Sequence, residues 1–160
     1  AAVPALIAAL DNPRPSIRML SAQALGEIRS REAVPTLIKI VKTDLSGARG
    51  ESVEALGKIG DPSAIEAIIS ALRTGSNSVR HRAIKALALL PGPGVEDAMI
   101  AALGDKDEEV RQTAVSALGE VGDARSLPRL EQVADNDTSS DIRAAAAAAI
   151  DRVRTREGKK

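Results

Sequence analysis

Cysteine, phenylalanine, tyrosine and tryptophan are all absent from this 160-residue chain, and histidine occurs once. Each absence removes a chemistry. Without cysteine there is no disulfide, no thiolate nucleophile, no cysteine-ligated zinc and no thioether-anchored chromophore on this chain. One histidine cannot form a site that needs two. Without aromatic rings, bases and sugars find no stacking platform. The 22 basic residues balance the 22 acidic ones, so no net charge draws the chain toward nucleic acid or an anionic lipid surface. No apolar run is long enough to span a bilayer. The chain opens AAVPALIAAL, with neither an initiator Met nor a basic leader. We therefore expect part of a longer cytoplasmic chain with no bound cofactor and no metal. Hydrophobic residues still make up 44%, so a core can form, built from Ala, Leu, Ile and Val.

Those residues recur at a fixed period. Arg18, Arg49, Arg80, Arg111 and Arg143 are spaced by 31, 31, 31 and 32 residues, and each follows Ile17, Ala48, Val79, Val110 or Ile142. Seven residues on stand Leu25, Leu56, Leu87, Leu118 and Ile150; three more bring Ile28, Ile59, Leu90, Val121 and Val153. A second series places Leu6, Leu37, Ile68, Met99 and Leu130 in register, followed by Leu10, Val41, Leu72 and Leu103. Spacings of three and four mark one face of a helix. Each unit therefore reads as two amphipathic helices. Gly60-Asp61-Pro62, Pro91-Gly92-Pro93-Gly94 and Gly122-Asp123 separate the helices within units, and polar turns such as Asp11-Asn12-Pro13 and Asp135-Asn136-Asp137 separate the units. Glycine ends helices, while Asp and Pro begin them.

The pattern V-R-x-x-A-x-x-A-L-G-x-I-G-D, then A-x-x-x-L-I-x-A-L, resembles the short HEAT-like repeat of phycobilisome lyase subunits. The resemblance covers nearly the whole chain. It implies an all-α fold, an α-solenoid of about five stacked two-helix repeats. The units fall at approximately 1–10 (partial), 11–42, 43–73, 74–103, 104–135 and 136–160. Two departures are local. Gly50 lies inside a helix, at a cost of about 1 kcal/mol relative to Ala. Ala88 and Gly92 stand where other units carry Gly and Asp, so that turn is expected to differ. The irregular turns at Leu45-Ser46-Gly47 and Pro91–Gly94 favour natural drift over a designed array.

A stacked array needs its end faces covered. Residues 1–10 match only the second half of a unit and leave Leu6, Ile7 and Leu10 on an open stripe. We expect either a preceding segment there or an end-to-end contact through this uncapped N-terminal helix. At the other end, six alanines from Ala144 to Ala149 lead into a basic tail that suits a last helix followed by fraying.

The ladder Arg18, Arg49, Arg80, Arg111 and Arg143 could be a phosphate stripe, but its strict repetition beside an apolar residue favours a structural role. Each arginine is expected to pack its stem and bond a carboxylate or a helix-end carbonyl. The family resemblance implies the same. His81, between Arg80 and Arg82, has no nucleophile at useful spacing and reads as a surface residue. Glu108-Glu109 complement a helix N-terminus. The acidic segments DKDEE and ADNDTSSD lack the ordered spacing of a calcium loop. The resemblance also reaches iron-binding hydroxylases, whose His-Glu pairs are missing here.

No catalytic constellation emerges, and the expectation is a chain that is not an enzyme. In proteins this chain resembles, the helix carrying V-R lines a concave partner groove. Its exposed positions here are Met19, Leu20 and Gln23; Glu51 and Glu54; His81, Arg82 and Lys85; Gln112, Thr113 and Ser116; then Ala144, Ala145 and Ala148. They vary while the framework repeats. An apolar patch, an acidic unit, a basic unit and a neutral stretch suit a protein partner better than a polyanion. The leading expectation is an interaction scaffold. The alternative, by resemblance, is a phycobilin lyase-type subunit acting with a partner on a phycobiliprotein. Nucleic-acid binding would need a continuous basic stripe, which Glu51 and Glu54 interrupt.

Overall fold

The computed structural model describes residues 2–159. Among them run ten α-helices: α1 (Ala2–Ala9), α2 (Pro15–Glu27), α3 (Val34–Thr43), α4 (Gly47–Ile59), α5 (Ile65–Thr74), α6 (Asn77–Leu87), α7 (Val95–Ala102), α8 (Glu108–Val121), α9 (Leu127–Asn136) and α10 (Ser140–Glu157). No strand occurs among the described residues. The even-numbered helices carry the repeated arginine and are called A helices; the odd-numbered ones are B helices. Three B helices are entered through a 3-10 turn, at Arg31–Ala33, Pro62–Ala64 and Ala124–Ser126. Periodicity alone did not separate those turns from the helices they feed.

The helices gather into two compact units, Ala1–Gly92 and Pro93–Lys160. In the first, α2 packs along α4 and α4 along α6, while α1, α3 and α5 pack on α2, α4 and α6 respectively. In the second, α8 packs along α10, α7 on α8 and α9 on α10. The units divide at the irregular turn. There α6 stops at Leu87, no 3-10 turn precedes α7, and Gly94 (φ 75°) supplies a left-handed residue ahead of α7.

The aliphatic rows form the cores. Leu25, Leu56 and Leu87 are buried along the A layer of the first unit, as are Leu37 and Ile68 along its B layer; Leu118, Leu130, Ile142 and Val153 are buried in the second. Full burial of such a side chain contributes about 1.5–3 kcal/mol. No ring is needed because the A helices approach very closely. A Cβ on Gly26 would lie 2.8 Å from the Ala55 Cα, one on Gly57 2.7 Å from the Ala86 Cα, and one on Gly119 3.0 Å from the Ala149 Cβ. Glycine facing alanine sets the spacing of each stack.

The polar turns cap these helices. Asp107 Oδ1 accepts the N–H groups of Glu109 and Val110 at 3.1 and 3.3 Å, Asp61 Oδ1 that of Ser63 at 2.9 Å, and Asp123 Oδ1 that of Arg125 at 2.8 Å. Within the acidic segments, Asp105, Asp107 and Asp137 are likewise occupied with backbone N–H donors. Helix α4 ends on Gly60 (φ 75°). The corresponding residue after α2 is Arg29, which takes the left-handed conformation (φ 51°) despite its Cβ.

The arginine ladder ties the inter-unit turns together. Arg18 Nε meets Asp44 Oδ2 at 2.7 Å and its Nη1 donates to the Asn12 carbonyl at 2.8 Å. Arg111 repeats the arrangement on Asp137 Oδ2 at 2.8 Å and the Asp105 carbonyl at 3.0 Å. Arg80 donates to the Gly75 carbonyl at 3.0 Å, and Arg143 to the Asp137 carbonyl at 2.7 Å. Arg49 departs from the pattern. Gly75 stands at the register of Asp44 and Asp137, so Arg49 Nη2 donates to Thr74 Oγ1 at 2.7 Å and its buried Nε has no partner. A side chain cannot be added at Gly75, because its Cβ would lie 2.6 Å from the Ala71 carbonyl.

The C-terminal end differs from the expected fraying. Helix α10 continues to Glu157, and Arg156 Nη1 donates to the Glu120 carbonyl at 3.0 Å, with Nη2 on that of Gly122. The basic tail satisfies the last carbonyls of α8.

Three backbone and core substitutions test this packing by denaturant unfolding. Gly57→Val should cost roughly 3 kcal/mol or more, because overpacking here pushes against backbone. Arg29→Gly should stabilise by about 1 kcal/mol, relieving a left-handed residue. Ser52, fully buried with an unpartnered Oγ, aligns with Ala83 and Ala114; Ser52→Ala should be neutral or stabilising by up to about 1 kcal/mol.

The ladder is tested by pH. Arg111 beside Asp137 holds its carboxyl below the usual carboxylate range, against the opposing effect of burial. A lowered folded value stabilises above the unfolded value of about 3.9, and that stability is lost as pH falls through the folded value. Asp137→Asn should therefore cost about 1.5–3 kcal/mol at pH 7 and flatten the acid-side decline of the melting temperature. An unchanged acid slope would contradict the assignment.

Candidate interaction face

Two faces result, one on each unit. On the first unit, α2, α4 and α6 lie side by side and present Met19, Leu20, Gln23, Glu51, Glu54, His81, Arg82 and Lys85. Leu20 is 65% exposed, Gln23 and Lys85 are exposed, and the other five are half-buried. On the second unit, α8 and α10 present Gln112, Thr113, Ser116, Ala144, Ala145 and Ala148. Ser116, Ala144 and Ala148 are exposed, and Gln112, Thr113 and Ala145 are half-buried. Thr113 Oγ1 donates back to the Glu109 carbonyl at 2.7 Å. The six named residues of this second face carry no charge.

On the first face, the charge mosaic expected from sequence is largely cancelled by pairing. Arg82 Nη2 meets Glu51 Oε1 at 3.0 Å, and its Nη1 pairs with Glu54. Lys58 Nζ bonds Glu54 Oε1 and Glu27 Oε1, each at 2.8 Å. The acidic and basic units thus form one network across α2, α4 and α6. The bond from Lys58 holds Glu54 below the usual carboxylate range against the effect of burial, and the charges of Arg82 and Lys85 add to it. Glu51 and Glu54 do not offer a free acidic patch. Lys85 remains the exposed cation of this face.

Gly50 leaves room for the network, and Gly47 leaves room for Met19 beside it. A Cβ on Gly50 would lie 3.2 Å from Arg82 Cδ, and one on Gly47 2.9 Å from Met19 Sδ. Helix α4 is stripped of bulk so that Met19 leans over it from α2 and Arg82 crosses it from α6 toward its carboxylates. The helix-propensity cost of Gly50 is therefore linked to a specific crossing. Sequence reasoning named Glu51, Glu54 and Arg82 but missed Glu27, Lys58 and Gly47. One signal was available: Glu27 and Lys58 stand 31 residues apart with opposite charge, which places them side by side in adjacent units.

Among the described residues, no group of three or more His, Asp or Glu side chains is arranged to hold a metal ion, and no helix is long and apolar enough to cross a membrane. On the first face, Glu51, Glu54 and Arg82 are committed to one another and to Lys58. What the arrangement offers is a surface with an apolar anchor at Leu20 and a cation at Lys85.

No curated protein matches this sequence at a significant level. Solved structures do. A chain from the complex of CpcE and CpcF of phycocyanin lyase from Nostoc sp. PCC7120 is similar at 25% identity, over 92% of this chain and 97% of that one, with a TM-score of 0.73. A designed armadillo repeat protein in complex with the peptide (KR)4 is similar at 20% identity, over 95% of this chain and 82% of that one, with a TM-score of 0.70. An engineered protein is similar at 19% identity, over 95% and 81%, with a TM-score of 0.72. The last two likenesses show the fold alone. The family model for HEAT repeats matches residues 3–80 and 65–151. With its 31-residue period, its arginine-bearing A helices and its all-α solenoid fold, the chain belongs to the HEAT-repeat family.

Proposed function

We propose that the chain is a non-enzymatic scaffold that binds a protein partner on the α2/α4/α6 face of its first unit. The observation that carries this reading is the contrast between a repeated framework and a face whose residues change from unit to unit. Leu20, Gln23 and Lys85 are its accessible members. A bulky aliphatic anchor beside polar groups is the composition of an interaction surface. The neutralised network beneath limits nonspecific attraction to polyanions. A partner suited to it offers an apolar pocket or side chain for Leu20 and a carboxylate for Lys85.

A partner recovered with the chain and then purified should bind Leu20→Asp/Lys85→Glu at least tenfold more weakly by calorimetry, with an unchanged circular dichroism spectrum. Unaltered affinity after substitution of all eight positions of this face would reject the reading.

The likeness to the phycocyanin lyase chain favours a second reading, a phycobilin lyase-type subunit acting with a partner subunit on a phycobiliprotein. The test is optical. Under this reading, mixing the chain with a bilin, a phycobiliprotein and a candidate partner subunit changes the visible spectrum. An unchanged spectrum argues against it. Of the stripe expected to be open near the N-terminus, Leu10 is buried and Leu6 and Ile7 are half-buried.

A further inference from the structure

One turn of the arginine ladder has no aspartate. Of the five turns between units, at 11–13, 43–46, 74–77, 104–107 and 135–139, four contain aspartate and 74–77 contains none. No acidic residue occurs between Glu66 and Glu96, a stretch that holds Arg73, Arg80, Arg82 and Lys85. In the two complete examples the carboxylate has the same two duties. Asp44 accepts Arg18 Nε and the Ser46 N–H, each at 2.7 Å. Asp137 accepts Arg111 Nε at 2.8 Å and Nη2 at 3.1 Å, and the Ser139 N–H at 2.9 Å. Gly75 stands at that register. Val79 Cγ1 and the Ala71 carbonyl, 2.5 and 2.6 Å from where its Cβ would lie, bar a side chain there. The chain cannot supply this carboxylate from the ladder position.

Arg49 is the cation affected. It is half-buried, and no described residue forms an ion pair with it. One of its five N–H groups is used: Nη2 donates to Thr74 Oγ1 at 2.7 Å, and that hydroxyl gives its own proton to the Ser70 carbonyl at 2.9 Å. Nε is buried without a partner, whereas Nη1, also without one, opens to solvent. At the same turn Arg80 Nη1 donates to the Gly75 carbonyl at 3.0 Å, and Arg73, Thr74 and Ser76 are exposed. Thr74 therefore fixes a guanidinium whose outer edge is open and whose charge the ladder leaves unpaired.

We propose that the turn between α5 and α6 is a carboxylate-binding site, in which a carboxylate from outside the stack takes Nη1 and the second N–H of Nη2 of Arg49. The Nε edge is covered, so the ligand meets the guanidinium end-on. Two observations set the class. A planar pair of oxygens matches the guanidinium fork, and aspartate is what the chain itself uses beside Arg18 and Arg111. Thr74 is a positioning residue, since its hydroxyl proton is already given to Ser70. The proposal is independent of the α2/α4/α6 reading.

Sodium acetate, titrated into the isotope-labelled chain against sodium chloride at constant ionic strength, tests the site through the arginine Nε–H signals in NMR spectra, with Arg49 assigned by Arg49→Lys. The Arg49 signal should shift saturably, while those of Arg18 and Arg111, already on aspartates, stay in place. Thr74→Val should weaken acetate binding about threefold. Thr74→Asp, which brings a carboxylate to Arg49 from the chain itself, should abolish the response. An Arg49 signal that acetate does not move, or that phosphate moves as readily, overturns the carboxylate site, as does a full response in Thr74→Asp. A capped tripeptide with a central aspartate separates the sources. Tighter binding than acetate assigns the carboxylate to a protein side chain, and equal binding assigns it to a free small carboxylate.

Discussion

The near-contact of backbones between successive A helices is the constraint on which the rest of this protein depends. A missing Cβ at Gly26, Gly57 and Gly119 brings each helix against an alanine of the next. Around those contacts, rows of Leu, Ile, Val and Ala are buried and build the core without aromatic rings.

Close stacking also dictates where charge can go. The repeated arginines stand at the edge, where turns leave carbonyls and carboxylates to be satisfied, and they bind those turns from both sides. Where the turn lacks a carboxylate, at Gly75, the arginine pairs incompletely and Nε of Arg49 is left without a partner. On the A-helix face, by contrast, charges meet only across neighbouring helices. Glu27, Lys58, Glu54, Arg82 and Glu51 close on one another there, because adjacent units bring register-matched positions together.

The framework was legible in the sequence because a 31-residue repeat states each buried position several times over. Leu25, Leu56 and Leu87 are readable together in a way that none is alone. The face was legible as positions but not as chemistry. Glu51 and Arg82 were recognisable as exposed sites of opposite charge, yet their pairing depends on the stripped surface at Gly50, which reads in isolation only as a poor helix former. Arg29 shows the same limit. Its left-handed backbone follows from the path of the chain after α2, not from its own preference. The 3-10 turns before α3, α5 and α9 also depend on capping geometry finer than a periodic pattern.

Stacking carries the fold, and the charge network of the A-helix face adds little to its stability. Urea unfolding of the triple variant Glu51→Gln/Glu54→Gln/Arg82→Gln tests it most directly. Partly exposed pairs of this kind contribute about 0–1 kcal/mol each. The variant should therefore unfold with the parental cooperativity and a stability within about 1–2 kcal/mol of the parent. A loss of several kcal/mol, or a broadened transition, would contradict the claim and make the network part of the framework.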